Sequence, residues 1–147
     1  MAMVGPTNPA EAHFDKGMWG WDGSVWRKIP LLLGYTDRWV EAVVKASADA
    51  GINILYTAAV PAGYVYVLNA AYCYNETSTS GQDIGPYGNS ISVLVVQAAA
   101  VPANSVTVTG LCSIVLKAGD KVRIRFTACT AGDSLVGRVW GVKVKVS

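Results

Sequence analysis

The chain has 147 residues, a formal net charge of +2, and 15% charged against 52% hydrophobic residues. That length suits one domain with a full core and an arm beside it, while so few charges leave a monomer short of polar cover. Basic residues stand singly rather than clustered, which excludes a phosphate-tracking nucleic-acid surface, and no apolar run approaches the length of a membrane span.

Residues Met1 to Gly17 carry Pro6 and Pro9 and show no periodicity. They read, with residue 18, as an extended arm over 1–18 that orders, if at all, on a neighbouring subunit. The start Met1-Ala2-Met3-Val4-Gly5-Pro6 lacks the basic and apolar regions of a secretory leader.

A Trp-rich β-hairpin and a connecting strand are expected over residues 19–45. Trp19, Trp21 and Trp26 flank Asp22-Gly23, where glycine supplies the positive φ of a tight turn. Trp39 to Val44 then reads as a strand, with a short helix as the other possibility.

The compact β-sandwich is expected from residue 46 to 147. Ile52 to Thr57 is its first strand, and Pro61-Ala62-Gly63 a turn. Tyr64 to Tyr74 is the longest strand signal. Strict alternation puts Tyr64, Tyr66, Leu68, Ala70, Tyr72 and Tyr74 on one face and Val65, Val67, Asn69, Ala71 and Cys73 on the other. Both faces are mostly apolar, so the strand is central or lies at a subunit interface.

Asn75 to Asn89 is rich in Ser, Thr, Gly, Asn and Asp and contains Pro86 and Tyr87. It reads as a long loop, either one for contact or recognition or an ordinary variable loop of a sandwich. Its sequon, Asn75-Glu76-Thr77, reads as a chance match. Ser90 to Gln97 is the next strand, Ala98 to Asn104 an Ala-rich turn, and Ser105 to Thr109 and Leu111 to Leu116 two further strands.

In the last third, Val122, Ile124 and Phe126 alternate with Lys121, Arg123 and Arg125, and Val142, Val144 and Val146 alternate with Lys143 and Lys145. Each stretch predicts a strand with one buried and one wet face. About eight strands, spaced roughly ten residues apart, argue for an all-β antiparallel sandwich of jelly-roll type.

Chemistry finds no foothold. The lone histidine, His13, lies in the arm, so Ser-His-Asp and Cys-His arrangements have no base near the sandwich. Asp120 and Asp133 each follow a glycine and read as turn residues that bind local N–H groups, not as an acid pair. Phosphate-binding loop motifs are absent. Cys73, Cys112 and Cys129 lack metal-ligand spacing and read as small buried or half-buried hydrophobes, with one bridging pair possible if two of their strands are neighbours. No catalytic, metal or cofactor residue is expected.

Leu116-Lys117-Ala118-Gly119-Asp120-Lys121-Val122, followed by Gly132-Asp133 and Val139-Trp140-Gly141-Val142, resembles the closing strands of C1q/TNF-like jelly rolls. Gly20-Trp21-Asp22-Gly23-Ser24-Val25-Trp26-Arg27-Lys28-Ile29 is similar to a segment near the N-termini of tailed-phage virion proteins, decoration-like and tail-fibre-like ones among them. Gly34 to Trp39 stands where those proteins often carry an Asp-x-x-Gly-Arg-Leu turn, and departs from it.

Together the resemblances imply a non-enzymatic virion structural protein. It would self-associate, as a trimer by preference, and attach to a major capsid or tail protein. The alternative is a carbohydrate- or receptor-binding module of a tail fibre or cell-surface protein, which adds a host-surface glycan to the expected partners. Nucleic acid and membrane are not among them. The candidate interaction residues are Trp19, Trp21, Trp26, Tyr64, Tyr66, Tyr72, Tyr74 and Tyr87.

Overall fold

A computed structural model of the chain describes residues 18–21, 26–29, 37–88, 94–110 and 112–145. Every regular element among them is a β-strand. The chain divides into two compact units, Met1–Thr36 and Asp37–Ser147. Of the expected arm, residues 1–18, residues 1–17 lie outside the described residues and Met18 is the first residue of a strand.

In the first unit, β1 (Met18–Trp21) pairs antiparallel with β2 (Trp26–Ile29). Trp21 stands opposite Trp26, and Trp19 opposite Lys28. The backbone pairing is that of the expected hairpin; residues 22–25 between the strands are not described.

The second unit holds β3 (Asp37–Lys45), β4 (Gly51–Tyr56), β5 (Tyr64–Asn75), β6 (Ser80–Tyr87), β7 (Val96–Val101), β8 (Thr107–Val108), β9 (Ile114–Leu116), β10 (Lys121–Cys129) and β11 (Leu135–Lys145). One sheet has the order β4-β10-β6-β7, and the other β3-β11-β5-β8, with β9 also on β5. All pairings are antiparallel. From β3 onward the chain crosses between sheets at every connection except β6 to β7 and β8 to β9, which is the jelly-roll way of protecting sheet edges.

β3, read from sequence as a connecting strand, pairs with β11 along its whole length, from Leu135↔Lys45 to Lys143↔Asp37. Strand wins over helix there because alternate residues Trp39, Glu41 and Val43 turn inward while Val40, Ala42 and Val44 turn out.

The core lies between the sheets. Leu55, Ile84, Val122, Ile124 and Phe126 face it from one side, and Trp39, Leu68, Ala71, Cys73, Leu116, Leu135 and Val139 from the other. Gly137 on β11 has no side chain because Ile124 of β10 reaches into that place.

Two turns of like sequence hold the ends of β10. Lys117-Ala118-Gly119-Asp120 precedes it and Thr130-Ala131-Gly132-Asp133 follows it. In each, glycine takes a positive φ (89° and 91°) and the aspartate carboxylate accepts the N–H of the residue three before it, at 2.8 Å. Each turn also exchanges two backbone hydrogen bonds with a buried residue flanking β4. Val60 pairs with Gly119 and Asp120, and Ala48 with Gly132 and Asp133. These carboxylates are occupied in holding turns.

The fold departs from the sequence reading at β6, β7 and β5. The loop expected over Asn75 to Asn89 is largely β6, and its residues Gln82 to Pro86 are buried. Its polar groups are satisfied inside the fold. Asp83 forms an ion pair with Arg125, and Gln82 Oε1 accepts from Cys73 Sγ at 3.5 Å. Pro86 is tolerated because β7 pairs β6 only between Ser80 and Ile84, so the missing N–H falls beyond that ladder.

The strand expected at Ser90 to Gln97 is instead β7, which begins at Val96 and takes in most of the expected Ala-rich turn. The turn itself is shorter, with Ser105 N–H donating to Pro102 C=O at 3.1 Å. Residues 89–93 lie outside the described residues.

The third departure concerns the long tyrosine strand. β5 pairs with β11 in register from Asn75↔Leu135 to Ala70↔Trp140, and then Leu68 stands opposite Gly141. Asn69 is the extra residue of a β-bulge, which reverses the alternation. Tyr64, Tyr66 and Leu68 face inward before it; Ala71, Cys73 and Asn75 face inward after it. Tyr72 and Tyr74 therefore face out, opposite to Tyr64 and Tyr66. Gly141 is required at this point, since a Cβ there would fall on the Val67 carbonyl oxygen.

Candidate functional site

The two outer faces of the sandwich are unlike. On the β4-β10-β6 side, Lys121, Arg123 and Arg125 point outward and Val122, Ile124 and Phe126 inward, as the alternation in the sequence predicts. Arg125 Nε donates to Asp83 Oδ2 at 2.6 Å. Lys121 lies 5.5 Å from the Tyr56 ring and Arg123 5.5 Å from that of Tyr87. The two rings are themselves 5.3 Å apart. This face is cationic and aromatic along β10 and apolar along β4, where Ile52 and Ile54 are 63% and 44% exposed.

The outer face of the other sheet is apolar. β3 contributes Val40 and Val44, which are 54% and 61% exposed. β11 contributes Arg138, Trp140, Val142 and Val144, with Val136 on the same face but only 9% exposed, alternating with the core residues Leu135 and Val139. β5 adds Val65, Val67, Tyr72 and Tyr74, through the register Val144↔Val65, Val142↔Val67, Arg138↔Tyr72 and Val136↔Tyr74. Val108 stands beside Tyr72 and Val115 beside Val67, each about half exposed.

The sequence reading placed Val142 and Val144 toward the core and Lys143 and Lys145 toward water. The register reverses this. Lys143 stands opposite Tyr66 and Asp37, on the inward-facing side. A lysine is accommodated there because its ammonium reaches Asp37, 4.0 Å away.

At the middle of the apolar face is an aromatic and cationic group. Trp140 meets Tyr72 edge-on at 5.7 Å, Tyr72 stacks on Tyr74 at 6.2 Å, and the Arg138 guanidinium lies 5.9 Å from the Tyr72 ring. Trp, Tyr and Arg on an otherwise apolar, sparsely charged surface are the composition of a protein–protein contact. Contiguous exposed apolar surface rimmed by polar residues marks interaction sites.

The candidate residues thus separate. Tyr72 and Tyr74 lie on the apolar face and Tyr87 on the cationic one. Tyr64 and Tyr66 pack against the core instead; Tyr66 lies 4.9 Å from Trp39 and 6.4 Å from Tyr64 between ring centroids. They are removed from the surface by the Asn69 bulge. Trp19, Trp21 and Trp26 are placed by backbone pairing alone, in the separate N-terminal unit. Sequence reasoning missed Val40, Val44, Arg138 and Trp140 as members of one face. The available signal was the run Val136 to Val144, apolar on alternate residues in the same phase as Arg138 and Trp140.

Among the described residues, no group of three or more His, Cys, Asp or Glu side chains is placed to hold a metal ion. The three cysteines are free thiols, Cys73 and Cys129 buried and Cys112 half-buried. Burial, followed by the charge of Asp83, pushes the Cys73 thiol up to about 12. That is opposite to the activation a nucleophile needs.

No protein-family model matches the sequence, and no curated protein matches it. Among solved structures, the chain is similar to one in a structure described as "Structure of infectious bursal disease virus Gx strain". The identity is 11% and the TM-score 0.35, over 87% of this chain and 42% of that one. The present chain thus spans less than half the length of that neighbour.

Proposed function

We propose that this chain is a non-enzymatic structural protein of a virion, which self-associates and attaches to a phage capsid or tail surface. The observation that carries the reading is the apolar outer face of the β3-β11-β5 sheet, with Trp140, Tyr72 and Arg138 at its middle. Covering such a face releases water from valine and aromatic surface, at about 25 cal/mol per Å² before the costs of association. A monomer with this face exposed would be prone to aggregate, whereas a subunit of a lattice or ring would have it covered.

The virion setting is supported by the likeness of Gly20 to Ile29 to tailed-phage virion proteins, and by the use of jelly rolls in viral capsids. Jelly rolls also serve lectins. The apolar face is the feature that separates the two, since a sugar site needs polar groups that converge on the ligand.

The test is multi-angle light scattering of the purified chain, alone and as a Val40→Glu, Val44→Glu double variant. Both side chains are exposed, so the variant should fold. The expected result is a stable oligomer for the unaltered chain and a monomer for the variant. A chain that stays monomeric through the concentration range would sink the reading.

A further inference from the structure

We infer that the apolar face does not pair with the same face of a second copy, but packs against a different surface of that copy, one that brings a carboxylate to Arg138. This rests on the self-association proposed above and names its geometry.

Charge decides between the two kinds of pairing. The outward residues of β3 are Arg38, Val40, Ala42 and Val44; those of β11 are Val136, Arg138, Trp140, Val142 and Val144; those of β5 include Val65, Val67, Tyr72 and Tyr74. Neither Asp nor Glu is among them. Arg138 is flanked by Ala42 on one side and Tyr72 on the other, well inside the face, whereas Arg38 is near the end of the edge strand.

A two-fold interface presents one patch to itself. Centred here, it would bury the Arg138 guanidinium of each copy within an apolar layer against a like charge. Arginine stays charged throughout the accessible pH range, so the cost cannot be relieved by losing a proton. An unpaired buried charge is among the most expensive things an interface can contain.

A heterologous interface has no such conflict. The second copy then offers a surface different from this face, and exposed carboxylates exist to supply the partner. The Asp37 and Asp49 side chains are 82% and 84% exposed, each beside a lysine of its own chain, Lys143 and Lys45, so that Arg138 would join it as a second cation. Arg138, already stacked on Tyr72, would make a charge-assisted hydrogen bond in a desolvated setting, the arrangement in which arginine acts as a binding hot spot. Heterologous contacts of one kind generate closed rings when the rotation closes, and a trimer is the smallest.

The experiment compares Arg138→Ala, Arg138→Glu and Lys121→Ala with the unaltered chain by light scattering over a dilution series, with circular dichroism to establish folding. The geometry proposed here expects Arg138→Ala to weaken assembly at least tenfold, Arg138→Glu to weaken it further, and Lys121→Ala, a cation that cannot pair with Arg138, to weaken it less than either. If the unaltered chain assembles and Arg138→Ala assembles as well or more tightly, the face pairs with itself and this inference is overturned while self-association stands. If the unaltered chain never assembles, both fall.

Discussion

At the scale of single residues, Gly141 shows how strictly local geometry constrains this fold. The bulge at Asn69 brings the Val67 carbonyl against the β11 backbone, so that no side chain fits at position 141. Gly141→Ala should destabilise the protein by about 1–3 kcal/mol, the usual cost of forcing an extra carbon into a packed site. Urea unfolding followed by tryptophan fluorescence would measure it, and an unchanged midpoint would show that the strand adjusts freely. The residue scale is also where the sequence was least legible. A bulge depends on one extra residue, and Asn69, although the one amide in a run of apolar and tyrosine positions, does not by itself announce that the alternation shifts there. Strict alternation therefore placed all four tyrosines of β5 together, although Tyr64 and Tyr66 pack against the core while Tyr72 and Tyr74 face out.

At the scale of elements, the best-read features were those with a local cause. Alternation of Val122, Ile124 and Phe126 with cations was enough to orient β10, and glycine before aspartate was enough to identify both flanking turns. β6 was missed because its signals are long-range. Ser80, Gln82 and Asp83 look like loop residues until Arg125 and Cys73 are known to lie beside them. The turn at Thr130 to Asp133 also makes a measurable electrostatic prediction. Burial draws the Asp133 pKa upward, but hydrogen bonds from Ser78 Oγ, Asn75 Nδ2 and the Thr130 N–H outweigh it and hold the carboxyl below its ordinary value of 3.8. A carboxyl lowered in the folded state contributes stability that is fully present above its unfolded value and is lost as pH falls through the folded one. The unaltered protein should lose stability below about pH 4 more steeply than Asp133→Asn. Thermal melts at pH 7 and pH 3 on both proteins provide the comparison. Equal pH slopes would mean that Asp133 has no share in acid sensitivity.

At the scale of the whole molecule, the jelly-roll class was legible because regularly spaced short strands and turn signals leave few alternatives. The difference between its two outer faces was not, since it depends on which strands neighbour one another. Sequestration of the thiols gives this scale its own test. Cys73 is enclosed between the sheets and its thiol is held protonated, and burial also raises the pKa of Cys129, where it outweighs the hydrogen bond from Asn53. Cys112, half-buried, points its thiol at the Leu68 and Asn69 carbonyls beside the bulge. A maleimide at neutral pH should label Cys112 first, and Cys73 and Cys129 only as fast as the sandwich opens. Mass spectrometry of timed samples would separate these rates. Uniform labelling in native buffer would contradict the enclosure of the core thiols.

The extra residue at position 69 has a meaning for how such a strand can change over generations. An insertion in an alternating pattern is a half-period phase shift: everything downstream obeys the old rule with its sign reversed. Here it delivers Tyr72 and Tyr74 to the exterior without altering a single side chain in the rest of β5. A surface for assembly can thus arise from a change in length rather than composition, and a chain one residue shorter would hide the same tyrosines.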